Sequence, residues 1–115
     1  MEPLPNLEQA VVPKEKITDY LLSERHPSGR GKAKFFKGFG FSPDQWEVLA
    51  DALKRHAGQH GVTRTEASPF GTRYVVEGMI TTPIGRSPQL RAVWFIREGR
   101  DVPHLATAYP LDKPS

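Results

Sequence analysis

Cysteine is absent from this chain of 115 residues. That excludes disulfides, thiolate metal sites and thiol chemistry, and leaves the redox compartment open. No apolar run approaches the roughly 20 residues a membrane helix needs, so no membrane association is expected. The N-terminus, MEPLPNLEQ, is acidic and proline-containing and lacks the basic and apolar regions of a signal peptide. With no export signal in view, the expected location is cytoplasmic. Internal repeats and low-complexity segments are also lacking. What the chain has is apolar mass for one small core. Leu, Ile, Val and Phe make up 27 of the 115 residues, above the depleted level of a disordered chain, and the length allows one domain.

Acidic residues are missing from one stretch in particular. Between Arg25 and Pro43 lie Arg25, Arg30, Lys32, Lys34 and Lys37 with no acid among them. The whole chain is +3, so all the excess positive charge is concentrated there. Such a stretch is suited to a polyanion such as RNA; the competing reading is a solvated helix face.

The periodicity gives helices first and strands afterwards. Pro13 to Leu22 reads as a short helix, with Ile17, Tyr20 and Leu21 on one stripe and Pro13 at the first helical position. Ser23 to Gly31 is a loop. Lys32 to Lys37 reads as helical, ended by Gly38 and Gly40. Ser42-Pro43-Asp44-Gln45 forms a helix start in which Ser42 caps and Gln45 completes a capping box. The helix that follows places Trp46, Leu49 and Leu53 on one stripe. After Gly61 the period becomes two, with strands expected at Val62–Ser68, Thr72–Thr82, Gln89–Arg97 and His104–Tyr109. Short turns between them predict antiparallel pairing. The fold class is therefore α+β: N-terminal helices packed on one four-stranded antiparallel sheet, with Trp46, Leu49, Leu53, Trp94 and Ile96 in one core. Residues 13–110 form the expected domain. Residues 1–12 and the tail 111–115 are expected to be loosely held.

Several motifs fail on inspection. Gly29-Arg30-Gly31-Lys32 resembles the end of a phosphate-binding loop, but His26 and Ala33 stand where that motif needs Gly and Ser or Thr. His56 and His60 have the spacing of a zinc helix, but Ala57 replaces its catalytic Glu. They read as two exposed histidines at a frayed helix end. No metal and no cofactor is expected. What remains is His26, flanked by Arg25, Arg30 and Lys32, a metal-free grouping of base and cations suited to RNA transesterification. The alternative is that His26-Pro27 only shapes a turn. In the strands, Arg91, Val93 and Phe95 share one face, and Thr107 and Tyr109 share a face of the last strand. A hydroxyl pair at a strand end can bind phosphate oxygens, although Thr and Tyr are also simply good strand formers.

The stretches LPNLEQAVVPKEKITDYLLSERHPSGRGKAKFF, SPFGTRYVVEG and VWFIREG…PHLATAYP resemble the bacterial family called domain of unknown function 6883, from about Leu4 to Pro110. Related domains occur as C-terminal toxin modules similar to the barnase, EndoU, colicin and RelE group of metal-independent RNases. The resemblance implies a catalytic set of His26 as general acid or base, Lys32 and Arg91 on the phosphate, Thr107 positioning it, and Tyr109 stacking on a base or supporting the site. It also implies RNA contacts from Arg25, Arg30, Lys34, Lys37 and His104. Ala92 stands where the family pattern has Thr, and His104 where it has Arg. The first removes a hydroxyl; the second adds or replaces a phosphate contact.

Two functions follow as expectations. One is a small metal-independent endoribonuclease, the toxin of a toxin–antitoxin or immunity pair with a small acidic partner. The other is a non-catalytic RNA- or protein-binding module on the same scaffold. The catalytic reading requires His26, Lys32, Arg91 and Thr107 to line one groove. The competing arrangement pairs Arg91 with Glu77 across the hairpin.

Overall fold

Four strands follow Gly61: β1 (Val62–Ser68), β2 (Gly71–Met79), β3 (Gln89–Arg97) and β4 (His104–Pro110). They form one antiparallel sheet in the order β1-β2-β3-β4. The computed structural model describes residues 2–25 and 30–111. Before the sheet come α1 (Lys14–Lys16, continued by a π-helical turn over Ile17–Leu21), α2 (Arg30–Gly38) and α3 (Trp46–Gln59). The fold is α+β, as the change of period at Gly61 predicts. No helix among the described residues is long and apolar enough to cross a membrane.

Cross-strand register sorts the side chains onto two faces. On the helix side, Val76, Ala92 and Ala108 align across three strands, with Leu90, Trp94 and Leu105 beside them. These pack against Ile17, Leu21, Phe36, Leu49 and Leu53 in the core. Trp94, Leu49 and Leu53 are fully buried. Trp46 and Ile96, expected beside them, are only half-buried.

On the other face, Glu77, Arg91 and Tyr109 align, and so do Val75, Val93 and Thr107. Strict alternation along β4 would turn Leu105 toward that open face and His104 toward the core. A bulge prevents this. Val93 pairs with Thr107 but Trp94 pairs with Leu105, so Ala106 has no partner in the ladder. Leu105 therefore enters the core, and His104, opposite Phe95, reaches the open face.

Several local expectations are corrected. Pro13 stands before the helix with an extended backbone rather than at its first position. Ser42 makes no side-chain cap bond; its carbonyl instead accepts the Gln45 N–H at 3.1 Å in a 3₁₀ lead-in over Pro43–Gln45. Strand β2 ends at Met79, short of Thr82, because Thr82 turns the chain: its hydroxyl donates to the Arg86 carbonyl at 2.5 Å and its carbonyl accepts Gly85 N–H at 3.1 Å.

The segment before α1 is not loosely held. Leu4, Ala10 and Val12 are buried, the Glu2 carbonyl accepts Val62 N–H at 2.7 Å, and Val11 forms a parallel bridge to His104. The segment ties the β1 edge to the β4 edge, and its apolar residues complete the core. Leu111 N–H donates to Gln89 at 3.1 Å; the rest of the expected tail lies outside the described residues.

His56 is also corrected. It is 1 % exposed, not at a frayed end. Its Nε2–H is shared between the carbonyls of Gly78 and Leu90 at 3.1 and 3.2 Å, and His60 Nε2–H donates to the Met79 carbonyl at 2.9 Å. Both Nε2 atoms are committed to backbone oxygens.

Candidate functional site

The open face of the sheet carries long side chains, all but one of them charged, over two small buried ones. Val75 and Val93 lie low among their neighbours, while Arg64 and Glu66 from β1, Arg73 and Glu77 from β2, and Arg91 and Phe95 from β3 rise around them. At the β4 edge, two side chains from the helical layer reach the same place. Tyr20 comes from the π-helical turn and Lys32 from the first turn of α2.

Lys32 Nζ donates a short hydrogen bond to Tyr20 Oη. Tyr20 Oη and Thr107 Oγ1 are hydrogen-bonded at 3.4 Å. Lys32 supplies a donor to the phenol oxygen, and in the bond between Tyr20 and Thr107 either hydroxyl can donate. Arg91 Nε donates a short bond to Glu77 Oε2, and Arg91 Nη1 donates to Tyr109 Oη at 3.3 Å. The Tyr109 ring links the two halves: Lys32 Nζ lies 5.9 Å and the Arg91 guanidinium carbon 5.6 Å from its centroid. Lys32 also lies 4.6 Å from the Tyr20 ring centroid, and Lys16 stands 5.2 Å from it.

The electrostatics follow from these contacts. Burial pushes the Tyr20 phenol up, but hydrogen bonds with Lys32 and Thr107 and the charges of Lys32 and Lys16 outweigh it. The net effect holds Tyr20 below the ordinary phenol value. Arg91 is pushed further up by its hydrogen bonds to Tyr109 and Glu77, so it stays charged throughout. The cluster thus offers an acid–base phenol between cations, a hydroxyl from Thr107, and guanidinium N–H groups beyond the two already engaged.

Of the five catalytic candidates, Lys32, Arg91, Thr107 and Tyr109 come together here, and His26 lies outside the described residues. The Arg91–Glu77 pair, expected from the competing reading, forms as well, at the same place. The described lysines of the basic stretch do not form one surface. On a helix Lys34 and Lys37 lie about 200° and 140° around from Lys32. Lys34 is exposed elsewhere, and Lys37 pairs with Glu24 at 3.0 Å. Arg25 is exposed with its N–H on Ser23 Oγ at 3.3 Å, and the Arg30 side chain lies outside the described residues. His104 is exposed on the open face, its Nδ1–H donating to the Val102 carbonyl at 3.2 Å.

Sequence reasoning missed Tyr20. It stands on the apolar stripe with Ile17 and Leu21, and at regular helical spacing it reads as core. The π-helical turn, closed by Leu22 N–H on the Ile17 carbonyl at 2.8 Å, sends it to the rim instead. A polar tip on an otherwise apolar stripe was the available signal.

Residues 3–112 match the model of the domain of unknown function DUF6883. The chain belongs to the DUF6883 family. None of the curated proteins matches it. One chain of the solved contact-dependent growth inhibition toxin–immunity protein complex from Klebsiella pneumoniae 342 is similar in structure, with a TM-score of 0.72 at 15 % identity over 93 % of this chain and 97 % of that one. At that identity the likeness shows that this DUF6883 domain and that chain share a fold.

Proposed function

We propose that the open sheet face of this DUF6883 domain binds single-stranded RNA and cleaves it by 2′-OH attack without a metal, as the toxin of a toxin–immunity type pair. The observation that carries the reading is the joining of Lys32, Tyr20, Thr107, Arg91 and Tyr109 around one half-buried point of the open sheet face. In this reaction a base removes the 2′-OH proton and the 2′-oxygen attacks phosphorus. The bond to the 5′-oxygen breaks, and that oxygen takes a proton. The products are a 2′,3′-cyclic phosphate and a 5′-OH. Lys32 and Arg91 stabilise the charge that grows on the phosphorane oxygens. Thr107 positions the phosphate, and Tyr109 supports Arg91 or stacks on a base. Tyr20 and His26 are the acid–base groups. His26 lies midway in sequence between Tyr20 and Lys32, the two residues that enter the site from the helical layer.

The fold shared with a chain of a toxin–immunity complex supports a role in such a pair. The cationic face would suit a small acidic immunity protein that covers it. A second reading has its own support. Arg91 is already paired with Glu77 and Lys32 with Tyr20, which is also how a non-catalytic binding face would be held together.

The test is cleavage of a labelled single-stranded RNA in EDTA. Wild type is expected to yield cyclic-phosphate ends, and His26→Ala, Lys32→Ala and Arg91→Ala are expected to abolish them while retaining the wild-type circular dichroism spectrum. RNA binding with no cleavage would leave the binding module. Growth arrest on expression, relieved by a protein partner, would support the toxin role.

A further inference from the structure

Further along β3 and β4 the same open face descends into a cavity of about 780 Å³, lined among others by Phe95, Arg97, Arg100, Asp101, His104 and Gln9. Its floor is aromatic. Phe95 and His104 are directly opposite in the β3–β4 ladder, and the Phe95 ring leans across to β2. A Cβ on Gly71 would lie 2.6 Å from Phe95 Cζ, so the ring tip occupies the space that a side chain there would fill. Its wall is the β3–β4 turn, where Arg100 N–H bonds the Arg97 carbonyl at 2.9 Å and Gly99 supplies the left-handed residue, φ 79°.

The polar groups of the cavity suit a nucleotide. Arg97 and Arg100 are exposed, and neither forms an ion pair among the described residues. Because His104 Nδ1–H is committed to the Val102 carbonyl, its Nε2 is a free acceptor when the ring is neutral. Asp101 adds a carboxylate. A flat apolar ring, acceptors at its margin and two unpaired guanidinium groups are what a base with its phosphate requires. Phe95 stands four residues from Arg91, about 13 Å along the strand, a distance a short single-stranded stretch can bridge.

We infer that this cavity is a base-binding subsite for RNA, in which a nucleotide flanking the phosphate at Lys32 and Arg91 stacks on Phe95 while Arg97 and Arg100 hold its backbone. The inference rests on the RNA reading above and names the subsite that would select the substrate.

The experiment measures binding of a fluorescent eight-nucleotide single-stranded RNA by anisotropy, in EDTA, with its 2′-hydroxyls methylated to prevent cleavage. Phe95→Leu keeps an apolar side chain and removes the aromatic face. It should weaken binding roughly 5- to 150-fold, the worth of one base–aromatic stack. An abasic residue scanned along the oligonucleotide should weaken wild type by a similar factor at one position, and at that position the Phe95→Leu penalty should vanish. His104→Ala, at an exposed residue, gives a second variant that does not threaten the fold. A Phe95→Leu penalty that persists at every abasic position, or no penalty from either variant, overturns the subsite. Full cleavage that depends on Arg91 but not on Phe95 would overturn the subsite and leave the catalytic reading standing. Position-specific coupling without cleavage of all-ribose RNA would support the subsite and remove the catalytic reading.

Discussion

Tyr20 Oη receives a hydrogen from Lys32 and shares another with Thr107. If the phenol carries a proton in the reaction, Tyr20→Phe should slow RNA cleavage by about 10²- to 10⁴-fold, the usual worth of a positioned acid–base group. The same change should cost only about 0.5–1.5 kcal/mol of stability. It should also erase any alkaline limb of the pH–rate profile that falls below the ordinary phenol range, where the lowered Tyr20 would titrate. An unchanged rate would assign Tyr20 to scaffolding. Arg91→Lys is a sharper test of phosphate handling, because Lys keeps the charge and loses the planar fork. Cleavage should fall strongly, while the melting temperature barely moves, since the Arg91–Glu77 pair is about a third exposed on both sides and such pairs contribute only about 0–1 kcal/mol. His56 sets a pH dependence of stability instead. Burial pushes its pKa down, and repulsion from His60 adds to this, against partial compensation from the Gly78 and Leu90 carbonyls. As pH falls through about 6.5 the unfolded chain takes up a proton that folded His56 resists. The contribution is therefore complete above that pH and is lost between it and the lower folded-state pKa. Urea midpoints should decline from pH 7 toward pH 5.5 in wild type. In His56→Leu they should be lower and flatter over that window.

At the scale of elements, α3 and β2 meet through two histidines and one glycine. A Cβ on Gly78 would lie 2.4 Å from His60 Nδ1, so this glycine lets the His60 ring reach the Met79 carbonyl. Gly78→Ala should destabilise by about 1–3 kcal/mol, and adding His60→Ala should recover most of the loss. Equal melting of the single and double variants would show that the contact is not what requires glycine. The β4 bulge has a different role. One unpaired residue, Ala106, lets Leu105 fill the core and His104 and Thr107 both face outward, so the cavity and the cluster share one surface. An alternating pattern in the chain does not announce it: residues 104–109 read equally well as an unbroken strand.

For the molecule as a whole, the open face should respond to ionic strength. If Lys32 neutralises a phosphate, log Kd for single-stranded RNA should rise linearly with log salt, by about 0.7 per phosphate contacted. Lys32→Ala should reduce that slope by about one such unit, whereas Lys34→Ala, on another side of α2, should leave it unchanged. Equal slopes in all three proteins would place the RNA off this face.

The local code and the assembled fold contributed different things. Gly61, the turn residues after it and the two periodicities were enough to derive helices followed by an antiparallel meander, because side-chain spacing and turn chemistry are set by near neighbours in the chain. Arg91 on one face of its strand, and Thr107 with Tyr109 on one face of theirs, were legible for the same reason; the family resemblance added Lys32, and the β3–β4 register put the two faces on one side. Three things depended on contacts between distant residues. Tyr20 left the apolar stripe through a π-helical turn, which a regular helical period does not describe. His56 became core because α3 lies over the Gly78 and Leu90 carbonyls. The N-terminal segment became structure only because both sheet edges offered it backbone partners. Each was decided by burial and hydrogen-bond satisfaction between segments far apart in sequence, quantities that have no value until the chain has closed on itself.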